Sequence, residues 1–300
     1  MDIINMATCP NGKIYAQLNP AASQATHYET IHRLRNMRHT LMKAATAALI
    51  LPVAMAANGP MVPDYELTPT VLSTFAMPTT VTKINVQYLD TVAEDLHING
   101  WSCRVRNIEN DSGFDLTYKW RLPVNNGDIN GALKTAFSYG WNSGQGNYDA
   151  QIDWLYSSQT LFIQRDYTAS SKGYSGTDDP SEKDLQSMLE SNAPDMFNDW
   201  VYNDWGTDML KNAVNYGPVL TKRSTGTWNG AELDIEVCPI ENSSGTGIEY
   251  LAEASFKTSD YDSASSGRNQ LIALLQSKGW FLAESVSKED LVMENYHPTS

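Results

Sequence analysis

Segments in which every second residue is charged or hydroxyl-bearing constrain the fold of this chain most strongly. They are CRVR (103–106), LTYKWRL (116–122), AELDIEV (231–237) and LAEASFK (251–257). Side chains at i and i+2 of a β-strand lie on the same face. The pattern therefore predicts strands with one polar face and one apolar face, as in an antiparallel sheet.

The remaining sequence predicts an α+β protein. The turn residues 109–113 (ENDSG) join two predicted strands into a hairpin. Leucines after the capping residue Ser181 predict one helix, residues 195–214 a second, and residues 268–278 an amphipathic third that ends at Gly279. The many Gly, Asn, Ser and aromatic residues between short apolar runs favour a strand-rich fold.

The N-terminal residues differ from the rest of the chain. Residues 37–56 (MRHTLMKAATAALILPVAMA) contain a basic start, a short apolar run and small residues before a cleavage position, which together indicate a secretory signal peptide. A buried amphipathic helix is the alternative. Residues 1–36 show no clear periodicity and are interpreted as a non-native or disordered leader. We expect a secreted protein, with no membrane association after signal removal.

Charge excludes one broad class of partner. The chain has a formal net charge of −14, and removing residues 1–56 leaves 16 basic and 33 acidic residues. Such an acidic protein is not expected to bind nucleic acid or an anionic membrane. Cys103 and Cys238 are predicted to lie on opposite faces of their strands, so no disulfide between them is expected. The sequence carries no signal for the oligomeric state.

The charged strand faces allow two interpretations. They are the solvated side of an ordinary sheet, or they line the inside of a closed barrel. In a barrel, arginines and lysines would bind phosphate oxygens, and carboxylates would hold a hard cation such as Mg²⁺ or Mn²⁺. Spacing alone does not choose between the two.

The order of these motifs resembles that of the CYTH superfamily, the triphosphate tunnel metalloenzymes. The segment INVQYLDT (84–91) is similar to the family's Q-x-Y-x-D-T strand, and CRVR (103–106) and LTYK (116–119) are similar to its L-R-x-R and L-T-x-K strands. Residues 221–223, 233–237 and 251–256 resemble its later strands. The resemblance covers roughly residues 62–285.

The resemblance implies an eight-stranded antiparallel β-barrel that encloses a tunnel, with flanking helices. It spans residues 57–286 with an insertion at about 125–215, and residues 287–300 are interpreted as a polar tail. The implied activity is hydrolysis of inorganic triphosphate or an organic triphosphate with Mg²⁺ or Mn²⁺. The alternative is a non-catalytic secreted protein that binds a polyanionic ligand.

The resemblance also assigns roles to individual residues. The family's first strand, E-x-E-x-K, has its nearest match in DYELT (64–68), where Thr68 replaces the lysine, and Ser255 replaces the second glutamate of the last strand. The implied catalytic residues are Glu66, Glu236 and Glu253, and the implied metal ligands are these three with Asp64. The implied substrate-binding residues are Arg104, Arg106, Lys119, Arg121 and Arg223.

Overall fold

A computed structural model of the chain describes residues 65–142, 148–170, 173–285 and 287–296, together with the backbone of four short strands closer to the N-terminus. The chain divides into two units, residues 1–38 and residues 39–300. The first contains strands β1 (Met6–Thr8) and β2 (Ile14–Ala16), which pair antiparallel. No helix in the described ranges is long and apolar enough to cross a bilayer.

The second unit contains the remaining strands. They are β3 (Ala45–Leu51), β4 (Met61–Val62), β5 (Glu66–Leu67), β6 (Thr82–Asp90), β7 (Trp101–Ile108), β8 (Gly113–Pro123), β9 (Asp149–Trp154), β10 (Gln159–Ser170), β11 (Val214–Trp228), β12 (Ala231–Glu241) and β13 (Ile248–Thr258).

Helices lie between and after these strands. They are α1 (Pro69–Thr74), α2 (Asp95–Ile98), α3 (Ile129–Ser138), α4 (Glu182–Ser191), α5 (Asp195–Asn198), α6 (Trp205–Lys211), α7 (Tyr261–Ser277) and α8 (Lys288–Asn295), with a 3₁₀ turn at Asn125–Gly127.

Eight antiparallel strands form a curled sheet in the order β9-β10-β8-β7-β6-β11-β12-β13. Strand β3 pairs antiparallel with β13 and parallel with β9, and it closes the barrel. The predicted α+β fold with an eight-stranded antiparallel barrel and flanking helices is confirmed. The apolar run of the predicted signal peptide supplies β3.

The outer face of the barrel packs against helices. Leu233, Ile235 and Phe256, which alternate with the polar positions of β12 and β13, are buried against Leu271 and Leu275 of α7. A Cβ at Gly267 of α7 would lie 3.0 Å from the Phe256 ring, so this position keeps the helix close to the sheet. In β12 and β13, the period of two thus separates an apolar outer face from a polar inner face.

Aromatic side chains cover the opposite side of the barrel. Trp101 and Tyr118 on β7 and β8 are fully buried, and their rings contact Phe197 of α5 at centroid distances of 5.2 Å. The Tyr118 hydroxyl donates a hydrogen bond to the carbonyl of Leu189 in α4. Helices α4 to α6 therefore support the strands that carry the basic side chains.

The structure differs from the sequence expectations in three places. The strands expected at residues 151–156 and 160–167 are present as β9 and β10, but they belong to the barrel and not to an insertion. The single helix expected over residues 195–214 is two helices, because Asp204 has a left-handed conformation (φ 66°) before α6. Residues 288–295, expected in a polar tail, form helix α8.

Helix α8 packs against the interior of the barrel at one end. Val292 and Met293 are buried in a cluster with Ile84, Cys238 and Leu251. Cys238 and Leu251 share strand faces with the interior residues Glu236 and Glu253, and Ile84 itself lines the interior, so this cluster fills the apolar end of the interior. Cys103 and Cys238 are both free and buried, as expected.

Candidate functional site

The barrel interior contains a cavity of about 470 Å³. Its lining includes seven cationic and seven carboxylate side chains. The cationic ones are Arg104, Arg106, Lys119, Arg121, Arg223, Lys257 and Lys288, and the carboxylates are Asp153, Asp166, Glu232, Asp234, Glu236, Glu253 and Glu289. Seven of the predicted residues, five basic and two acidic, therefore line one cavity: Arg104, Arg106, Lys119, Arg121, Arg223, Glu236 and Glu253.

The basic side of the cavity is formed by β7 and β8. Arg104 lies opposite Thr117 in the strand register, and its Nη2 donates a hydrogen bond of 3.1 Å to the Thr117 hydroxyl. Arg106 Nη2 donates to Asp115 Oδ2 at 3.2 Å. Arg104 has no carboxylate within 4 Å among the described residues. Its charge is therefore available to a ligand.

Three guanidinium nitrogens on this side are buried without a hydrogen-bond partner in the described structure. They are Nε of Arg104, Nε of Arg106 and Nη1 of Arg121. Repulsion from Arg104, together with burial, lowers the pKa of Arg106 to about 10. Buried donors without an acceptor are costly, and an anion in the cavity would satisfy them.

Lys119 lies on the same side of the cavity. Its Nζ is 3.5 Å from Asp153 Oδ2 and 3.5 Å from the centre of the Phe162 ring. Burial lowers the pKa of Lys119, while Asp153 opposes this shift. Asp153 and Phe162 belong to β9 and β10, so these two strands contribute to the cavity lining.

The acidic side is formed by β12 and β13, where Glu236 and Glu253 are opposite each other in the register. Arg223 Nε donates to Glu236 Oε1 at 2.9 Å, and Lys288 Nζ contacts Glu236 Oε2. Burial opposes ionisation of Glu236, but Lys288 and Arg223 outweigh it and lower its pKa below the usual range. Burial raises the pKa of Glu253; Lys288 opposes this shift, and the Glu236 charge adds to it.

Two lining residues come from helix α8, which the sequence did not indicate as part of the site. Lys288 contacts Glu236, and Glu289 forms an ion pair with Arg121 across the cavity. Burial opposes ionisation of Glu289, yet Arg121 outweighs it and its pKa is lowered. The Ser287 hydroxyl accepts a hydrogen bond from the Asp290 backbone at 3.0 Å. This Ser-x-x-Asp capping pattern was the signal available in the sequence.

These pKa shifts predict how stability depends on pH. Glu236 and Glu289 have lowered pKa values in the folded protein, so their contribution is present above about pH 4.3, the ordinary glutamate pKa, and is lost below it. We expect denaturant titrations to give a lower unfolding free energy at pH 3 than at pH 7. The pKa of Glu253 is raised, so protonation of Glu253 at low pH favours the folded protein and opposes the loss. Glu253→Gln removes this compensation, so the unfolding free energy of the variant should fall more steeply between pH 7 and pH 3. Equal stability at the two pH values would contradict the assignment.

Of the two remaining predicted ligands, only Glu66 belongs to the described residues. Glu66 does not line it: the Glu66 side chain is 61% exposed, and its Oε1 lies 3.8 Å from Lys222 Nζ. The prediction that Glu66 faces the interior is corrected, because β5 pairs with β4 in a separate two-stranded sheet outside the barrel. Asp64 lies outside the described residues.

The carboxylates of the cavity do not fit a divalent cation as they are arranged. In the described ranges, no group of three or more His, Cys, Asp or Glu side chains is placed to hold a metal ion. Each oxygen of Glu236 already contacts a cationic side chain. A metal ion at this position would compete with Lys288 and Arg223 for the same oxygens.

Neither a family model nor a curated protein matches the sequence. Solved structures similar to the chain include a candidate adenylyl cyclase from Hippeastrum, which is described as having a dominant triphosphatase activity. It has 13% sequence identity and a TM-score of 0.48, and the match covers 84% of this chain and 100% of that one. A candidate adenylate cyclase from Bacillus halodurans has 12% identity and a TM-score of 0.47, covering 83% and 96%. A Pyrococcus horikoshii protein has 13% identity and a TM-score of 0.41, covering 83% and 99%.

At such identities and TM-scores, we base the function on the chemistry of the cavity.

Proposed function

We propose that the chain binds the triphosphate group of inorganic triphosphate or of an organic triphosphate in its barrel cavity and hydrolyses the terminal anhydride bond. The observation that carries this proposal is the set of three buried guanidinium nitrogens, on Arg104, Arg106 and Arg121, that have no hydrogen-bond partner among the described residues. Planar guanidinium groups match phosphate oxygens in geometry and charge. The cavity volume of about 470 Å³ lies within the range of small-ligand sites.

Each basic residue receives a role in holding the phosphates. Arg104, Arg106 and Arg121 bind phosphate oxygens through their free donors, and Lys119 and Arg223 add charge from either side. Most of the rate enhancement in phosphoryl transfer comes from positioning and from stabilisation of charge in the transition state. A fixed set of cations in a buried cavity supplies both.

Glu253 is our candidate for the general base. It forms no ion pair within 4 Å among the described residues, and burial raises its pKa. A pKa closer to neutrality favours proton transfer at physiological pH. A water oxygen would bond to the terminal phosphorus, the bond from that phosphorus to its bridging oxygen would break, and the water proton would pass to Glu253. The products are orthophosphate and either pyrophosphate, from inorganic triphosphate, or the organic diphosphate, from an organic triphosphate.

A non-catalytic binding protein is the second candidate function. The pairing of Glu236 with both Lys288 and Arg223 favours it, because this carboxylate is occupied by protein cations. In this case the same basic side chains bind an oligophosphate or another small polyanion without turnover.

One assay on the full chain separates the two candidates. Tripolyphosphate is added with Mg²⁺, with Mn²⁺ or with EDTA, and released orthophosphate and bound ligand are both measured. Release that is lost in Arg106→Ala and Glu253→Gln supports the hydrolase. Binding without release supports the binding protein, and absence of binding under all conditions contradicts both.

We also propose that residues 37–56 direct export. Cleavage before Ala57 would remove β3 and leave the eight antiparallel strands β6 to β13. N-terminal sequencing of the protein recovered outside cells is expected to begin at Ala57. Recovery inside cells with residues 45–51 retained would contradict export.

A further inference from the structure

The acidic side of the cavity contains its own cation. Lys288 Nζ contacts Glu236 Oε2, while Arg223 Nε occupies Glu236 Oε1 at 2.9 Å. The Lys288 side chain is largely buried, with 12% of its surface exposed. Both oxygens of this carboxylate are therefore satisfied by side chains of the protein.

The position of Lys288 is fixed by the packing of its helix. Val292 is fully buried and Met293 nearly so, in the cluster that fills the apolar end of the interior. The Tyr296 hydroxyl donates to the carbonyl of Pro218 at 3.3 Å, and Glu289 pairs with Arg121 on the other side of the cavity. Since the cavity of about 470 Å³ is present with this helix in place, α8 forms part of its wall.

A cation at this position is electrostatically favourable. Glu236 and Glu253 are directly opposite on neighbouring strands, and like charges in such pairs destabilise a sheet. The ammonium group of Lys288 relieves this repulsion. A divalent cation would have to displace it, which would leave a buried ammonium group without its partner.

We propose that Lys288 is a resident cation of the cavity, placed where a divalent metal ion would otherwise be needed, so that the chain binds oligophosphates without a divalent metal. This inference rests on the proposed function, because it concerns the same ligand and cavity. It departs from the metal dependence that the sequence resemblance implies.

Calorimetric titration of the full chain with tripolyphosphate in EDTA tests this proposal. The wild-type protein is expected to bind under these conditions. Lys288→Met is expected to weaken binding in EDTA at least tenfold, whereas Lys288→Arg should retain it. Lys278→Met removes an equal charge at the end of α7, outside the cavity lining, and should leave the affinity unchanged.

Electron paramagnetic resonance of Mn²⁺ with the protein alone provides a second readout. The wild-type chain should leave the signal of free Mn²⁺ unchanged, and Lys288→Met should reduce it, because the substitution removes the cation that shields Glu236 and Glu253. Thermal unfolding of each variant establishes that it is folded.

The outcomes are distinguishable. Wild-type binding that requires Mg²⁺ or Mn²⁺, or unchanged binding by Lys288→Met in EDTA, overturns the role of Lys288 and leaves the proposed function in place. No binding of tripolyphosphate with or without metal overturns the proposed function and this inference together.

Discussion

Replacing Arg104 with Met is expected to weaken tripolyphosphate binding about 10- to 100-fold, the usual effect of losing hydrogen bonds to a charged group. Arg104 is the residue of choice because its partner is the neutral Thr117, so no carboxylate loses its counter-ion. The loss should therefore appear in the dissociation constant, with little change in stability. Calorimetric titration at fixed ionic strength measures it.

Lys222→Met is the matched control for this substitution. Lys222 also belongs to a barrel strand, but it lies beside Glu66 and the Tyr65 ring, outside the cavity lining. Lys222→Met removes one positive charge, as Arg104→Met does, so a general effect of net charge on the affinity for an anionic ligand would appear in both variants. Equal weakening by the two substitutions would show that the basic side of the cavity is not the binding site.

Replacing Glu236 with Gln is expected to lower the unfolding free energy by about 3–5 kcal/mol, the usual cost of breaking a buried ion pair from one side. The substitution keeps the shape of the side chain but leaves Arg223 and Lys288 without their shared carboxylate. Denaturation with urea or guanidinium chloride measures the loss.

Asp208→Asn is the control for this second prediction. Asp208 pairs with Lys211 at 3.0 Å on an exposed part of α6, where solvent screens the interaction. We expect the unfolding free energy of the Asp208→Asn variant to remain close to that of the wild-type protein. A small effect of Glu236→Gln, similar to that of Asp208→Asn, would argue against a buried network around Glu236.

The strands of the barrel could be predicted from the sequence because the two faces of a strand lie in different environments, one apolar and one polar. Arg104 and Arg106 alternate with buried Cys103 and Val105, so the period of two is visible without any tertiary information. The break between α5 and α6 was not predictable in this way. It depends on the left-handed Asp204, whose backbone amide donates to Asp199 Oδ1 at 3.1 Å.

The basic half of the site could also be predicted, since each arginine and lysine is placed by the alternation of its own strand. Lys288 and Glu289 could not, because a charged pair at the start of a helix is usually exposed to solvent. Their burial depends on Val292 and Met293, which bring the helix into the barrel. Glu66 was placed wrongly because two residues are too few to show which sheet a strand joins.

The apolar packing of α8 at one end of the barrel has a consequence for where ligands can enter and leave the cavity. Apolar side chains fill this end of the interior, where an open-ended channel would continue. They are Ile84, Cys238, Leu251, Val292 and Met293. Among the described residues, this end of the interior offers no route for a charged ligand. Substrate and product would therefore enter and leave past the same cationic side chains of the polar part of the cavity.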